Sequence, residues 1–261
     1  MFFPSVEGVR LATPDDLDRI SIVAAAAFFS SPTFKFQRIH YRKFPLDTIA
    51  SYFVQYKKAM EDPTCVVLVA EDVIDEDESE HVYDAIRESF KSVALRRRGI
   101  VGVCSIQLKP ESAYTHQFQP PEMLANLNER LSAHDLERDQ SIEAANIYDA
   151  VTRPTKLKHL EGRMRLCTLA VAPCYWRRGH ARRLVSFCTQ LADSDDAMLG
   201  VSATPCGATV VSKAGFQERD YVRYTPLTTT QKVQQDNLYT AGFELWIGVR
   251  LPGENVVPEE A

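Results

Sequence analysis

The stretch from Met164 to Ala192 constrains this chain more than any other. Met164 to Val171 (MRLCTLAV) is a short apolar run of the kind that forms a buried strand, and Pro173 stops it. Cys174-Tyr175-Trp176-Arg177-Arg178-Gly179-His180-Ala181 then leads directly into a helix. Ala181, Leu184, Val185, Cys188, Leu191 and Ala192 recur on one face of that helix. A strand, a basic glycine-containing turn and a helix form an anion-binding arrangement. The first N–H groups of the helix lack intrahelical partners, and the dipole adds positive charge there. Gly179 would let an anion approach the backbone, and Arg177, Arg178 and Arg182 could add charge-assisted hydrogen bonds. The turn is neither a P-loop nor a dinucleotide fingerprint. Taken alone, an Arg-Arg-Gly turn can equally be an exposed basic turn with no ligand.

The rest of the chain supplies the material for one α/β domain. Thr13, Pro14, Asp15 and Asp16 start a helix, and Leu17, Ile20, Ala24, Ala27 and Phe28 continue it to Ser30-Ser31-Pro32. An aromatic connector follows, with Phe34, Phe36, Tyr41 and Phe44. A second helix is expected over about 45–60. Residues 65–70 and 100–108 read as strands. The acidic block 75–80 between them reads as part of a solvated insertion, 73–99. Residues 109–160 form a second insertion, with a helix expected after Pro120-Pro121. Further strands are expected at 198–204, 218–226 and 242–251, with a short helix over 207–214 ending at Gly215. The domain spans 8–251, and 252–261 is a polar tail.

Composition sets outer limits. With 261 residues, 45% apolar and 25% charged, the chain can bury a core without a staple. A net charge of −5 disfavours nucleic-acid and anionic-membrane partners. No run reaches the length of a membrane span, and the N-terminus lacks a signal-like pattern, so a cytoplasmic protein is expected, monomeric or homodimeric. The six cysteines lack CxxC spacing, and the histidines lack HxxxH spacing; reduced thiols and no metal site are expected.

LAVAPCYWRRGHARRLV resembles the acetyl-CoA-binding motif of the GCN5-related N-acetyltransferases (GNAT), in which a strand ending V-x-P leads to Q/R-x-x-G-x-G/A. Val171, Pro173, Gly179 and Ala181 fit; Trp176 stands where that motif has Gln or Arg. ATPCGATVVSKAGF, ending at Phe216, resembles the family's next segment, with Thr204 near its Asn or Ser. Val211 stands where many members carry the tyrosine that protonates the departing thiolate. The order of elements along the chain matches as well.

The resemblance implies a single GNAT-type α/β domain. Its mixed, mostly antiparallel sheet has splayed fourth and fifth strands flanked by helices. It implies acetyl-CoA as co-substrate and a small-molecule amine as acceptor, attacked directly. A protein acceptor and a non-catalytic acyl-CoA-binding role are the alternatives. Leu169, Ala170 and Val171 would pair with pantetheine, Arg177 to Arg182 would hold the pyrophosphate, and Thr204 would also lie at the cofactor. Base candidates are Glu161, His159, His116 and Asp149, with Glu161 preferred. Tyr175, Thr204 or Ser212 could protonate the thiolate. Phe28, Phe29, Phe34 and Tyr41 fall where the family's acceptor binds, with core packing as the competing role. Cys174 and Cys206 lack the partners of an acyl-cysteine mechanism.

Overall fold

Val9–Leu11 (β1) is followed by a 3-10 turn and a helix, Leu17–Phe28 (α1). The Thr13 N–H and hydroxyl both donate to the Asp16 carboxylate, at 2.7 and 2.9 Å, so the turn is capped from its own sequence. The architecture comes from a computed structural model that describes residues 3–91, 98–119, 137–226 and 242–253. The helix expected after Pro120-Pro121, and most of the polar tail, lie outside the described residues.

The aromatic connector is not irregular throughout. Ser31 caps a short helix, Pro32–Gln37 (α2), by accepting from the Thr33 N–H at 3.2 Å. Then come Pro45–Glu61 (α3), Cys65–Val73 (β2), Arg87–Lys91 (α4) and Arg98–Gln107 (β3). Ile142–Leu160 (α5) is a helix of 19 residues in the part of 109–160 for which the sequence predicts no element. It has Pro154 inside it and a predominantly polar surface, both of which hide helical periodicity. Ala144, Ile147, Tyr148 and Val151 nonetheless fall on one face, packed with Phe36, Phe243 and Tyr224. Met164–Val171 (β4), His180–Ser194 (α6), Leu199–Ala203 (β5), Pro205–Ser212 (α7), Gln217–Tyr224 (β6) and Phe243–Arg250 (β7) complete the chain.

The seven strands form one sheet in the order β1-β2-β3-β4-β5-β7-β6. All neighbours are antiparallel except β4 and β5. Strand alternation divides the core into two layers. Val67, Val69, Val101, Val103 and Ala170 face α1 and α3, whereas Leu68, Cys104, Leu166 and Leu199 face α6. Beyond β5, Ile247 and Val249 pack with Leu160 of α5, while Trp246 packs with Val211 of α7 on the other face. Helices α1, α3 and α5 therefore share one side of the sheet, and α6 and α7 cover the other. No described helix is long and apolar enough to cross a membrane.

Candidate functional site

β4 and β5 pair only through Met164–Leu199, Arg165–Gly200 and Leu166–Val201. Beyond Leu166 the two strands separate, which leaves the rest of β4 without a β5 partner. A bulge falls at the same place: Ser105 pairs with Thr168 and Ile106 with Leu166, so Cys167 has no opposite residue and is exposed. The register decides which backbone groups the opening receives. Ala172 N–H donates to Val101 O at 2.9 Å, so by two-residue alternation Ala170 bonds to Val103 across β3. The N–H and C=O groups of Leu169 and Val171 point away from β3 into the opening. This corrects the expectation for Ala170, whose backbone is spent on β3 and whose side chain is buried among the α1 and α3 residues. Trp176 Nε1–H donates to Val171 O at 2.6 Å, so the residue that departs from the motif occupies one of these carbonyls.

The opening runs up to the glycine turn. Gly179 has φ +86° and caps α6, and nothing lies within 4 Å of where a Cβ would stand. Glycine is needed there for its left-handed conformation, and the space above it is free. Arg177 also takes a positive φ, 62°. Arg177 and Arg182 are exposed, and Ala181 is half-buried in the first turn of the helix.

The acidic segment is the partner of this turn, not a solvated ornament. Asp75 pairs with Arg178 at 2.5 Å and accepts from the Cys174 thiol at 3.3 Å. The guanidinium of Arg178 and the Cys174 thiol hold the Asp75 carboxyl below its usual range. Desolvation and Asp75 push the Cys174 thiol up to about 12. Tyr175 is fully buried; its hydroxyl donates to Glu78 at 2.8 Å and accepts from the Asp75 N–H at 3.0 Å. Glu78, 2% exposed, is itself held by a bidentate pair with buried Arg19. Burial keeps the Tyr175 phenol well above its ordinary pKa. Tyr175 is thus a structural anchor, which corrects its assignment as a proton donor.

His180 also turns inward. Its side chain is enclosed, with Nε2 at 2.9 Å from Asp72 and Nδ1 at 3.2 Å from Arg183. Only its backbone N–H belongs to the helix N-terminus, and the ring nitrogens are taken up by Asp72 and Arg183. Asp77, His81 and Cys174 bring ligand-type atoms within 4.8 Å of one another beside the turn, a grouping that spacing along the chain does not disclose.

Across the opening, Thr204 caps α7 by accepting from the Gly207 N–H at 3.3 Å. That bond uses an oxygen lone pair and leaves its O–H proton available. Val211 is 1% exposed and faces the core, and Ser212 is exposed. Of the aromatic residues assigned to the acceptor, Phe34 is 3% exposed and offers little surface, which corrects its assignment. Phe28 stacks on Tyr52 with centroids 5.4 Å apart, Phe29 on Tyr83 at 4.2 Å, and Tyr41 packs edge-on to Phe29 and Phe34. These rings mainly satisfy one another; Tyr83 comes from the segment between β2 and β3.

Glu161 is exposed at the C-terminal end of α5, immediately before β4. It lines a cavity of about 760 Å³ with Gln107, Arg153, Lys156 and Arg165. Of the other base candidates, His159 is bonded to Asp220 at 3.0 Å and Asp149 lies 3.8 Å from Arg153. His116 is exposed. Sequence reading missed the cavity's basic residues, because Lys156 and Arg165 sit on different elements and belong to no motif.

No family profile matches the sequence. A protein named acetyltransferase from Stachybotrys chartarum is 28% identical over 215 residues, covering 82% of each chain. Among solved structures, a histone acetyltransferase HPA2 and related acetyltransferase from Corynebacterium glutamicum shares the fold. It aligns at 16% identity and TM-score 0.51 over 97% of this chain and all of its own. An arylalkylamine N-acetyltransferase from Aedes aegypti aligns at 16% identity and TM-score 0.47 over 94% of this chain and 99% of its own. The parting of β4 from β5 and the glycine-capped helix thus accompany a fold shared with the Corynebacterium glutamicum protein, and the fungal relative carries the name acetyltransferase.

Proposed function

We propose that this acetyltransferase uses acetyl-CoA to acetylate the amine of a small molecule. The observation that carries the reading is the unpaired half of β4, which opens beside the N-terminus of α6. The residues there suit the co-substrate. The free N–H groups of α6 and the exposed Arg177 and Arg182 suit a pyrophosphate, and the open space over Gly179 admits one. Leu169 N–H and C=O and Val171 N–H can extend the sheet with an amide-bearing arm.

When bound, acetyl-CoA supplies an activated acyl group with a thiol as leaving group. The chain's own work is then proton management and orientation. Glu161 is assigned to take the proton of the acceptor ammonium, because it is exposed on a cavity at the start of β4. Thr204, whose O–H remains free, is assigned to donate toward the departing sulfur. Thiols titrate near pH 8.5, so a weak donor is sufficient. A cavity of about 760 Å³ falls within the usual size for small-ligand sites and favours a small acceptor over a protein tail.

The test is release of free CoA thiol on incubation with acetyl-CoA and a panel of small amines, with mass-spectrometric detection of the acetylated products. Amine-dependent thiol release is expected. Tight acetyl-CoA binding by calorimetry without amine-dependent release would reduce the protein to a binding module. Release only with peptides would transfer the activity to protein acceptors.

A further inference from the structure

We propose that the cavity beneath α5 is an acceptor subsite for the anionic group of a bifunctional amine, one that carries a carboxylate in addition to the nitrogen to be acetylated. This deepens the function proposed above and rests on it for the position of the reacting group.

The inference starts from the cavity's charges. Five basic residues line it, and three are accounted for. Arg153 faces Asp149, Lys109 donates to the backbone carbonyl of Asp195, and Arg163 contacts the sulfur of Met198. Lys156 and Arg165 have no carboxylate within ion-pair distance among the described residues. Lys156 is fixed in place by Tyr148, with Nζ 3.4 Å from its hydroxyl and 4.6 Å from its ring centre. Burial first, and then the nearby charge of Arg165, hold its ammonium below the ordinary pKa against the opposite pull of Asp149. Two like charges held in a concave, partly desolvated site repel each other, and an anion between them would relieve that repulsion.

Position ties this pair to the reacting centre. Arg165 lies two residues before the Cys167 bulge, on the last rungs where β4 still pairs with β5. At about 3.3 Å per residue, the cavity floor is within roughly 10 Å of the point where the strands part. Glu161 lines the same cavity, so one wall offers a carboxylate to an ammonium while another offers two cations to an anion. A simple alkylamine would leave Lys156 and Arg165 unanswered; an amino acid satisfies both walls.

The experiment pairs probes that differ only in the anionic group. Binding of 6-aminohexanoate and hexylamine to the intact protein is measured by calorimetry with CoA present, and their acetylation by thiol release. A second pair, glucosamine 6-phosphate and glucosamine, asks whether phosphate serves as well as carboxylate. At least tenfold tighter binding of the anionic member of a pair is expected. Arg165→Gln and, separately, Lys156→Met should each abolish most of that preference while CoA affinity stays the same. A thermal melt checks that each variant is folded. Equal binding of both members in both pairs would overturn the proposal, as would a preference that survives both substitutions. If amines are acetylated without any such preference, the subsite fails and the proposed function stands. If the anionic probes bind tightly but no amine is acetylated, the subsite stands as an anion site and the proposed function fails.

Discussion

The two ends of β4 present opposite kinds of site. At its C-terminal end the strand runs directly into the glycine turn and α6, so strand, turn and helix are contiguous in the chain. At its N-terminal end the cavity is assembled from Gln107 on β3, Lys156 on α5 and Arg165 on β4. The first end works through backbone groups and one obligatory conformation, φ +86° at Gly179, which only a few residue types tolerate. Such a requirement leaves a mark in the sequence. The second end works through side chains brought together by tertiary packing, and any chain that positions two cations there would serve. Chemistry carried by local backbone is therefore legible from spacing, whereas chemistry carried by assembled side chains appears only in the fold.

The contrast is imperfect, because the contiguous end is itself supported from a distance. Arg19 and Glu78 are 59 residues apart, Tyr175 is 97 beyond Glu78, and all three are buried. Glu78→Ala should therefore produce the largest effect. It leaves the Arg19 charge buried without its carboxylate and removes the acceptor for the Tyr175 hydroxyl. A loss of about 3–5 kcal/mol in unfolding free energy is expected from denaturant titration. A loss below about 1 kcal/mol, the scale of exposed pairs, would show that the turn needs no support from the acidic segment.

Substitution within the turn comes next. Gly179→Val combines a strained positive φ with a side chain projecting into the open space above the turn. CoA binding should weaken at least tenfold, about 1.4 kcal/mol, with the fold retained. Gly179→Asn, which tolerates the left-handed conformation better, should lose less. Equal losses in the two variants would mean that occupancy of the space matters more than the backbone angle. Unchanged calorimetric affinity in both would remove the turn from the site.

Asp75→Asn probes the boundary between the local and the distant contribution. Arg178 is exposed and paired with Asp75 at 2.5 Å, so under the proposed function this carboxylate would compete with a pyrophosphate for it. Neutralising Asp75 should free the guanidinium and tighten CoA binding by up to about fivefold, the range of an exposed pair. The gain should shrink as salt is raised. Weaker binding in the variant would show that Asp75 positions Arg178 for the cofactor.

Much of the fold was readable: the strands, α1, α3 and α6 lie within a few residues of their expected bounds, because apolar residues repeat at strand or helix period. The exceptions share a cause. α5 shows the solvent a polar face and buries only Ala144, Thr152 and Leu160 fully, so its period is faint. The acidic run looked solvated because carboxylates usually are, yet Glu78 finds Arg19 and a place in the core. Near the site, the strand running to Val171 and the glycine at the start of α6 were foreseeable from the motif. The inward orientation of Tyr175 and His180 was not, since nothing in the sequence indicates which side of a turn a ring will take.

The smallest expected effect lies in the His180 ring, where the distant and local contributions meet. Arg183 donates to Nδ1, which makes Nδ1 the acceptor and Nε2–H the donor to Asp72, the neutral tautomer. A second proton would have to sit on Nδ1, facing the Arg183 guanidinium in an enclosed space. Burial first, and then Arg183, lower the pKa from its ordinary 6.5, and the Asp72 bond offsets only part of that. The sign follows directly. Below about pH 6.5 the unfolded chain takes up a proton at this histidine that the folded chain resists. Its contribution to stability is therefore fully present above that pH and declines as pH falls toward the lower folded pKa. Denaturant unfolding of the wild type and of His180→Gln at a series of pH values between about 7.5 and 5 isolates this contribution. The wild type should lose more stability over that interval than the variant, and the gap between them should narrow or reverse at the acid end. Parallel curves would mean that the ring accepts its proton without penalty, and that Asp72, not Arg183, dominates its surroundings.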